Sequence, residues 1–314
     1  NARKAAESFA DRDFREIAIA EFYYFTGQAQ KCSDLVEIYI MSSRLELKLS
    51  ACMLYVYSNL TLGNAKASGR GLEIIRECLR KEMEAPTSER NTAYCVFAGY
   101  MGTVLLHLST EELPDMKKYM SSLPQGLRIF AANVISHDLY LKGEYSRALG
   151  ICDAALFSCK EIYPVGMIYL YCVTAMCEIS LKHQAEKAIL TAWKLAVKDE
   201  LIEPFIELHG LLQGLLESCI RKENSELYRK ISDAVITFSR GWMAVHNPAS
   251  DNPVTDALTT MEFSIAMLAC RDWSNREIAE HMGVSLNTVK HYLTDIFNKL
   301  HVKKRDELKD FVLK

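Results

Sequence analysis

The feature that most constrains this chain is a turn that keeps returning. Tyr24-Phe-Thr-Gly27, Leu60-Thr-Leu-Gly63 and Tyr140-Leu-Lys-Gly143 each end an apolar run on a glycine. Five positions after each glycine stands a small residue: Cys32, Ser68 and Ala148. An apolar helix end, a glycine free to adopt positive φ, and a second helix with a small packing residue make a helical hairpin. Weaker copies turn near Ser109, His183 and Glu223, and in the His183 copy Ala185, Ala188 and Ala192 keep the small positions. Turns at 27, 63, 109, 143, 183 and 223 are separated by 36, 46, 34, 40 and 40 residues. One hairpin cannot bury its own apolar face, so successive hairpins must stack into a superhelix with a concave side. With only seven prolines in 314 residues and no strong β-alternation, the expected fold class is all-α.

The last fifty-odd residues have a different pattern. Thr259 with Glu262, and Ser274 with Glu277, have the spacing of capping boxes and mark two helix starts. The first helix is expected to bury Phe263, Ala266, Met267 and Cys270, and the second Ile278, Ala279 and Met282. Gly283 supplies a left-handed turn and Ser285 caps a third helix. On that helix Val289, Leu293, Ile296, Phe297 and Leu300 form one apolar stripe, while Asn287, Lys290, His291, Thr294 and Asn298 lie opposite. Lysine suits phosphate or guanine and asparagine suits adenine, so the polar face has the chemistry of a DNA-reading helix.

Ser274-Asn-Arg-Glu-Ile-Ala279, Gly283-Val-Ser285 and Thr288-Val-Lys290 stand in the order and spacing of a known module. The segment resembles the C-terminal helix-turn-helix of the LuxR/GerE (NarL-like) family of bacterial transcription regulators. The resemblance implies a small four-helix domain over 257–314 that binds double-stranded DNA. It implies a core containing Glu262, Ile278, Ala279, Val289 and Leu300. It directs Thr288, Lys290, His291 and Tyr292 to the DNA, with Lys303, Lys304 and Arg305 near its backbone. Ser285, Asn287, Thr294 and Lys299 complete the candidate DNA-binding set. Asp272 stands where the family usually has Gly, Ala266 at a usual Leu, and Tyr292 where His is common.

From Leu258 onward there are nine Lys/Arg against eight Asp/Glu, so this domain is close to neutral overall. Its cations cluster on and after the third helix, and a homodimer on two half-sites is the expected working form. The whole chain carries −3, which leaves the larger part with no general affinity for nucleic acid. Ten cysteines form no Cys-x-x-Cys pair and no zinc spacing. Cys52, Cys95, Cys172 and Cys177 sit at apolar helical positions, as suits a reducing cytoplasm. No metal, cofactor or catalytic set is expected. No apolar run is long enough to span a bilayer: Tyr94–Leu108 is broken by Gly99, Gly102 and His107 and reads as a buried helix.

Gly143-Glu-Tyr-Ser-Arg-Ala-Leu-Gly-Ile-Cys-Asp-Ala-Ala155 resembles the second helix of a tetratricopeptide repeat. Residues 1–245 are thus expected to be a tetratricopeptide-like sensor or interaction domain. The two prolines and short polar residues of 246–256 read as a linker to the head. This order is similar to the C-terminal half of MalT-like regulators, in which repeats sense an inducer. Tetratricopeptide geometry would put Glu21, Tyr24, Met53, Tyr57, Thr103, Asn133, His137, Tyr140, Gln213, Glu217 and Arg221 on the concave face. Glu217 and Arg221, four apart, are expected to pair locally. Two regulator readings remain: repeats that bind a small-molecule inducer, or a groove that docks a protein or peptide. An aromatic-lined apolar cavity favours the first, an open charged groove the second.

Overall fold

The computed structural model describes residues 2–106, 110, 112–158, 164–212, 214–246, 258, 260–270, 273–282 and 284–308. Ser109, Gln213, Thr259, Asp272 and Gly283, most of the 246–256 linker, and the side chains of Phe263 and Met267 lie outside the described residues. Among the described residues every regular element is helical. No described helix is long and apolar enough to cross a membrane.

A short α1 (Ala2–Glu7) precedes the hairpins. The first pairs α2 (Arg12–Phe25) with α3 (Ala29–Val36), and the second pairs α4 (Leu45–Thr61) with α5 (Ala65–Glu84). Next, α6 (Glu89–Val104) packs on a 3-10 segment, Met116–Ser122. Two further hairpins follow, α7 (Gln125–Leu141) with α8 (Tyr145–Ser158) and α9 (Pro164–Ser180) with α10 (Glu186–Ala196). The last repeat-like unit is broken into α11 (Glu203–Glu207), α12 (His209–Leu212) and a π-helical turn, Leu216–Ile220, before the long α13 (Ser225–His246).

The local signals act as the sequence predicts. Gly27, Gly63 and Gly143 all have φ between +73 and +76 and end the first helices of their hairpins. Cys32, Ser68 and Ala148, five residues on, are each 0 % exposed. A larger side chain there would hold the paired helices apart. Asn64 caps α5 by accepting from the Ala67 N–H at 3.3 Å, and Ser88 caps α6 by accepting from Asn91 at 3.1 Å.

The inner helices do more than stack. α2 touches α4, α4 touches α6, then α6 α7, α7 α9 and α9 α11, and α11 returns to α2. Six helices therefore close into a ring, and its concave side becomes an interior. Outside the ring, α13 packs on α4, α5 and α11. It reaches the α4–α5 turn so closely that its Gly241 faces the Leu60 carbonyl and the Gly63 Cα. The C-terminal helices are α14 (Thr260–Cys270), α15 (Asn275–Met282) and α16 (Leu286–Leu300), followed by a 3-10 turn, Arg305–Leu308.

Candidate DNA interface and interior cavity

The C-terminal head is built on α16. Ser285 accepts from the Thr288 N–H at 3.1 Å and shares a 2.7 Å hydroxyl contact with the Thr288 Oγ1. Val289, Leu293, Ile296 and Leu300 are buried against α14 and α15. Ile278, Ala279, Ala266 and Cys270 join this core. The Ser274 box is reciprocal: the Ser274 N–H donates to Glu277 at 2.7 Å and the Glu277 N–H donates to the Ser274 Oγ at 3.2 Å. The opposite face of α16 leaves Asn287, Lys290, His291, Thr294 and Asn298 exposed. Thr294 donates to the Lys290 carbonyl at 2.9 Å. His291 lies 3.6 Å from Asp295, so it forms an ion pair only when protonated. Thr288 and Tyr292 are half-buried at the edge of this face. Leu286, which sequence reasoning missed, is 41 % exposed at the start of the helix. An exposed apolar group at that position suits contact with a thymine methyl.

Two residues of the expected DNA set also have partners inside the head. The Lys299 ammonium donates to both oxygens of Glu262 at 2.7 Å, and Glu262 is buried. Lys299 therefore ties α16 to α14. Arg305 donates to the Ala269 carbonyl at 3.1 Å, to the Asn275 Oδ1 at 2.8 Å and to the Trp273 carbonyl. Its guanidinium clamps the end of α14 to the start of α15. Lys303 and Lys304 remain exposed; their backbone N–H groups are held by Glu307. A charge pattern alone cannot separate a phosphate ligand from an internal clamp. Lys299→Ala is expected to destabilise the head by about 2 kcal/mol, because it removes the ammonium that donates to both oxygens of the buried Glu262 carboxylate. Limited proteolysis of the full chain would read this as faster cleavage after α13. Unchanged cleavage would leave Lys299 to the DNA set alone.

The second candidate site is the ring interior, which holds a cavity of about 120 Å³. Glu21, Tyr24, Met53 and Tyr57 line it. From α6 and its C-cap come Phe97, Met101 and Leu105, at a spacing of four, and from α7 come Leu127 and Phe130. Tyr169 of α9 and Glu207 of α11 complete the polar end. The rings pack as a cluster, with Tyr24 and Tyr57 centroids 6.3 Å apart and Phe25 and Tyr169 6.2 Å apart.

The other groove candidates lie elsewhere. Thr103 falls off the Phe97–Met101–Leu105 stripe, and the cavity uses only the first half of α7. Asn133, His137 and Tyr140 are buried further along that helix. Glu217 and Arg221 do not pair. Glu217 accepts from Tyr228 at 3.2 Å and contacts the His209 Nε2 at 3.1 Å, while Arg221 lies over the Tyr228 ring. The cause is the π-helical turn, where the Arg221 N–H bonds to the Leu216 carbonyl five residues back. Positions four apart are no longer aligned there.

Sequence reasoning missed Glu203, Glu207 and Tyr169. The signal was present: Leu201-Ile-Glu-Pro-Phe-Ile-Glu-Leu208 is an apolar run with two carboxylates one helical turn apart. Glu207 accepts from the Tyr169 hydroxyl at 2.6 Å and from Tyr24. Glu203, 0 % exposed, accepts from Thr61 at 2.5 Å through one oxygen; its other oxygen has no hydrogen-bond partner. Burial pushes Glu207 up to about 7. Burial, and then the neighbouring Glu207, push Glu203 up to about 8. Burial also raises Tyr24, Tyr57 and Tyr169 well above the usual phenol range, so all three stay protonated donors.

Comparison with known proteins agrees with the head. Residues 256–312 match the family model GerE, described as bacterial regulatory proteins, luxR family. This segment is a luxR-type helix-turn-helix domain. A 65-residue stretch is 37% identical to the Oxygen regulatory protein NreC of Staphylococcus carnosus (strain TM300), covering 21% of this chain and 30% of that protein. The chain thus spans less than a third of the relative it matches. No solved structure matches the chain significantly.

Proposed function

We propose that the chain is a DNA-binding transcription regulator of the cytoplasm. In this reading, residues 1–245 are a helical sensor that binds a small-molecule inducer in the ring interior, and residues 246–256 link it to the head, 257–314. Support for DNA binding comes from the luxR-type match and the exposed polar face of α16. Asn287, Thr288, His291 and Tyr292 would meet base edges, and Lys290, Lys303 and Lys304 the phosphates. Two heads acting as a homodimer would each read a half-site.

The observation that carries the sensor reading is the cavity itself. It is lined by aromatic, aliphatic and thioether side chains and has two carboxylates at its polar parts. Small-molecule sites have this composition, apolar walls with a few placed polar groups. A second reading, a protein partner, has one feature in its favour: Ile38 and Met41 stand 71 % and 68 % exposed between α3 and α4.

A thermal-shift screen of the full chain against a metabolite library tests the sensor, since a ligand that binds the folded state raises its melting point. A saturable shift whose ligand also changes DNA affinity is expected. Flat curves, together with partner capture that Ile38→Asp abolishes, would move the function to protein docking. Lys290→Ala is expected to weaken binding to all DNA sequences and to lower the salt slope by about one. An unchanged slope would remove Lys290 from the phosphate contacts.

A further inference from the structure

The cavity has a one-sided charge pattern. Among the described residues its lining includes Glu21 and Glu207 but no Lys, Arg or His. Behind Glu207, one turn away on α11, Glu203 is buried with one oxygen lacking a hydrogen-bond donor. Both Glu203 and Glu207 are thus carboxylates in an apolar shell whose hydrogen-bond partners are hydroxyl groups: Thr61 for Glu203, Tyr24 and Tyr169 for Glu207. Carboxylates buried without a cation are costly, and a ligand that brings a positive charge removes that cost. The walls suit the same charge. Tyr24, Tyr57 and Phe130 line the space, and aromatic rings attract an ammonium group. The volume sets the size: about 120 Å³ is close to the roughly 150 Å³ of an apolar cavity that takes up benzene.

We propose that the ring interior is a site for a small organic amine, with its apolar body among the aromatic side chains and its protonated nitrogen against Glu207. This rests on the small-molecule reading of the domain and names the chemical class of its ligand. Glu207 is the direct counter-ion, holding the ammonium through charge-assisted hydrogen bonds. Tyr24 and Tyr169 fix the carboxylate by donating to it. Glu203 is a positioning residue one turn behind Glu207, neutral below about pH 8 and a source of negative potential only above it. One ammonium balances one negative charge, that of Glu207, while Glu203, raised to about 8 by burial, keeps its proton below that pH.

The groups facing Glu207 are Tyr24 from α2, Tyr57 from α4, Tyr169 and Cys172 from α9, and Glu203 from α11, and Glu21 of α2 lines the same cavity. The phenols and the thiol stay neutral across the accessible range, so the pH response belongs to the carboxylate pair. Amine binding should therefore strengthen as pH rises from 6 to 8, while the amine itself remains protonated.

Three probes that share a phenylethyl body test this on the full chain: phenethylamine, 2-phenylethanol and 3-phenylpropionate, each titrated by calorimetry at pH 6 and pH 8. Phenethylamine should bind at least about tenfold more tightly than the alcohol at pH 8, and the advantage should shrink at pH 6. Glu207→Gln, which keeps the shape and loses the charge, should erase the preference while its helical circular dichroism stays intact. Equal or tighter binding of the alcohol or the propionate overturns the amine assignment and leaves a small-molecule pocket standing. No binding of phenethylamine at millimolar concentration also overturns it. Amine binding without any change in DNA affinity upholds the site and sinks the sensor reading, so the two failures are distinct.

Discussion

Replacing Gly241 with alanine is expected to lower the melting temperature of the chain by about 10 °C, a loss of about 3 kcal/mol or more. A Cβ at 241 would overlap the Leu60 carbonyl oxygen and lie 3.1 Å from the Gly63 Cα. Both obstacles are backbone, so no rotamer change relieves the clash. Gly63 itself has φ +73 and ends α4, which leaves the turn no freedom to move away. To accept the methyl, α13 must lift off α4 and α5. Gly69, in the second turn of α5 with nothing within 4 Å of a Cβ, is the internal control. The same Gly→Ala change there should stabilise by about 0.5–1 kcal/mol, through helix propensity and a less flexible unfolded chain. Differential scanning calorimetry of both variants decides the matter: equal shifts would mean that α13 does not dock backbone to backbone.

Glu203→Gln is expected to stabilise the chain at pH 8 by on the order of 3 kcal/mol, and by less than about 1 kcal/mol at pH 5. The sign follows from the direction of the shift. Burial raises Glu203 from its usual range to about 8, so the folded state prefers the neutral form. The stability this gives is fully present below the unfolded value near 4.5. It is lost as pH rises through the window up to about 8. Glutamine stays neutral throughout, and its carbonyl can still accept from Thr61. Melting temperatures of the variant and the parent should therefore coincide near pH 5 and diverge by several degrees near pH 8. Parallel curves would mean that Glu203 is hydrated rather than sealed in the ring.

How far the sequence announces this architecture depends on the range of the contacts. Hairpins are local, and their signals are local: a glycine, then a small residue five positions on, at Gly27 and Cys32, Gly63 and Ser68, Gly143 and Ala148. The α16 stripe and the Ser274–Glu277 box are equally short-range and equally legible. The cavity is not. Its polar end joins Tyr24 to Glu207, 183 residues apart, through the closure of α11 onto α2. No spacing rule reaches that far, so Tyr24 and Tyr57 stand out in the sequence as groove residues while their acidic partner does not. The intradomain partners of Lys299 and Arg305 are illegible for a different reason. A cation near a reading helix has the same letter whether it meets phosphate or a buried glutamate. Only the packing of α14 against α16 tells them apart.

The return of α11 to α2 also fixes how such a chain can change over generations. An open stack of hairpins grows or shrinks by whole units, since each unit touches only its neighbours. Here an added hairpin would drive α11 away from α2 and dissolve the interior with it. Variation is thereby diverted from the number of units to the side chains that face inward, and a new ligand would be acquired by point substitution rather than by duplication.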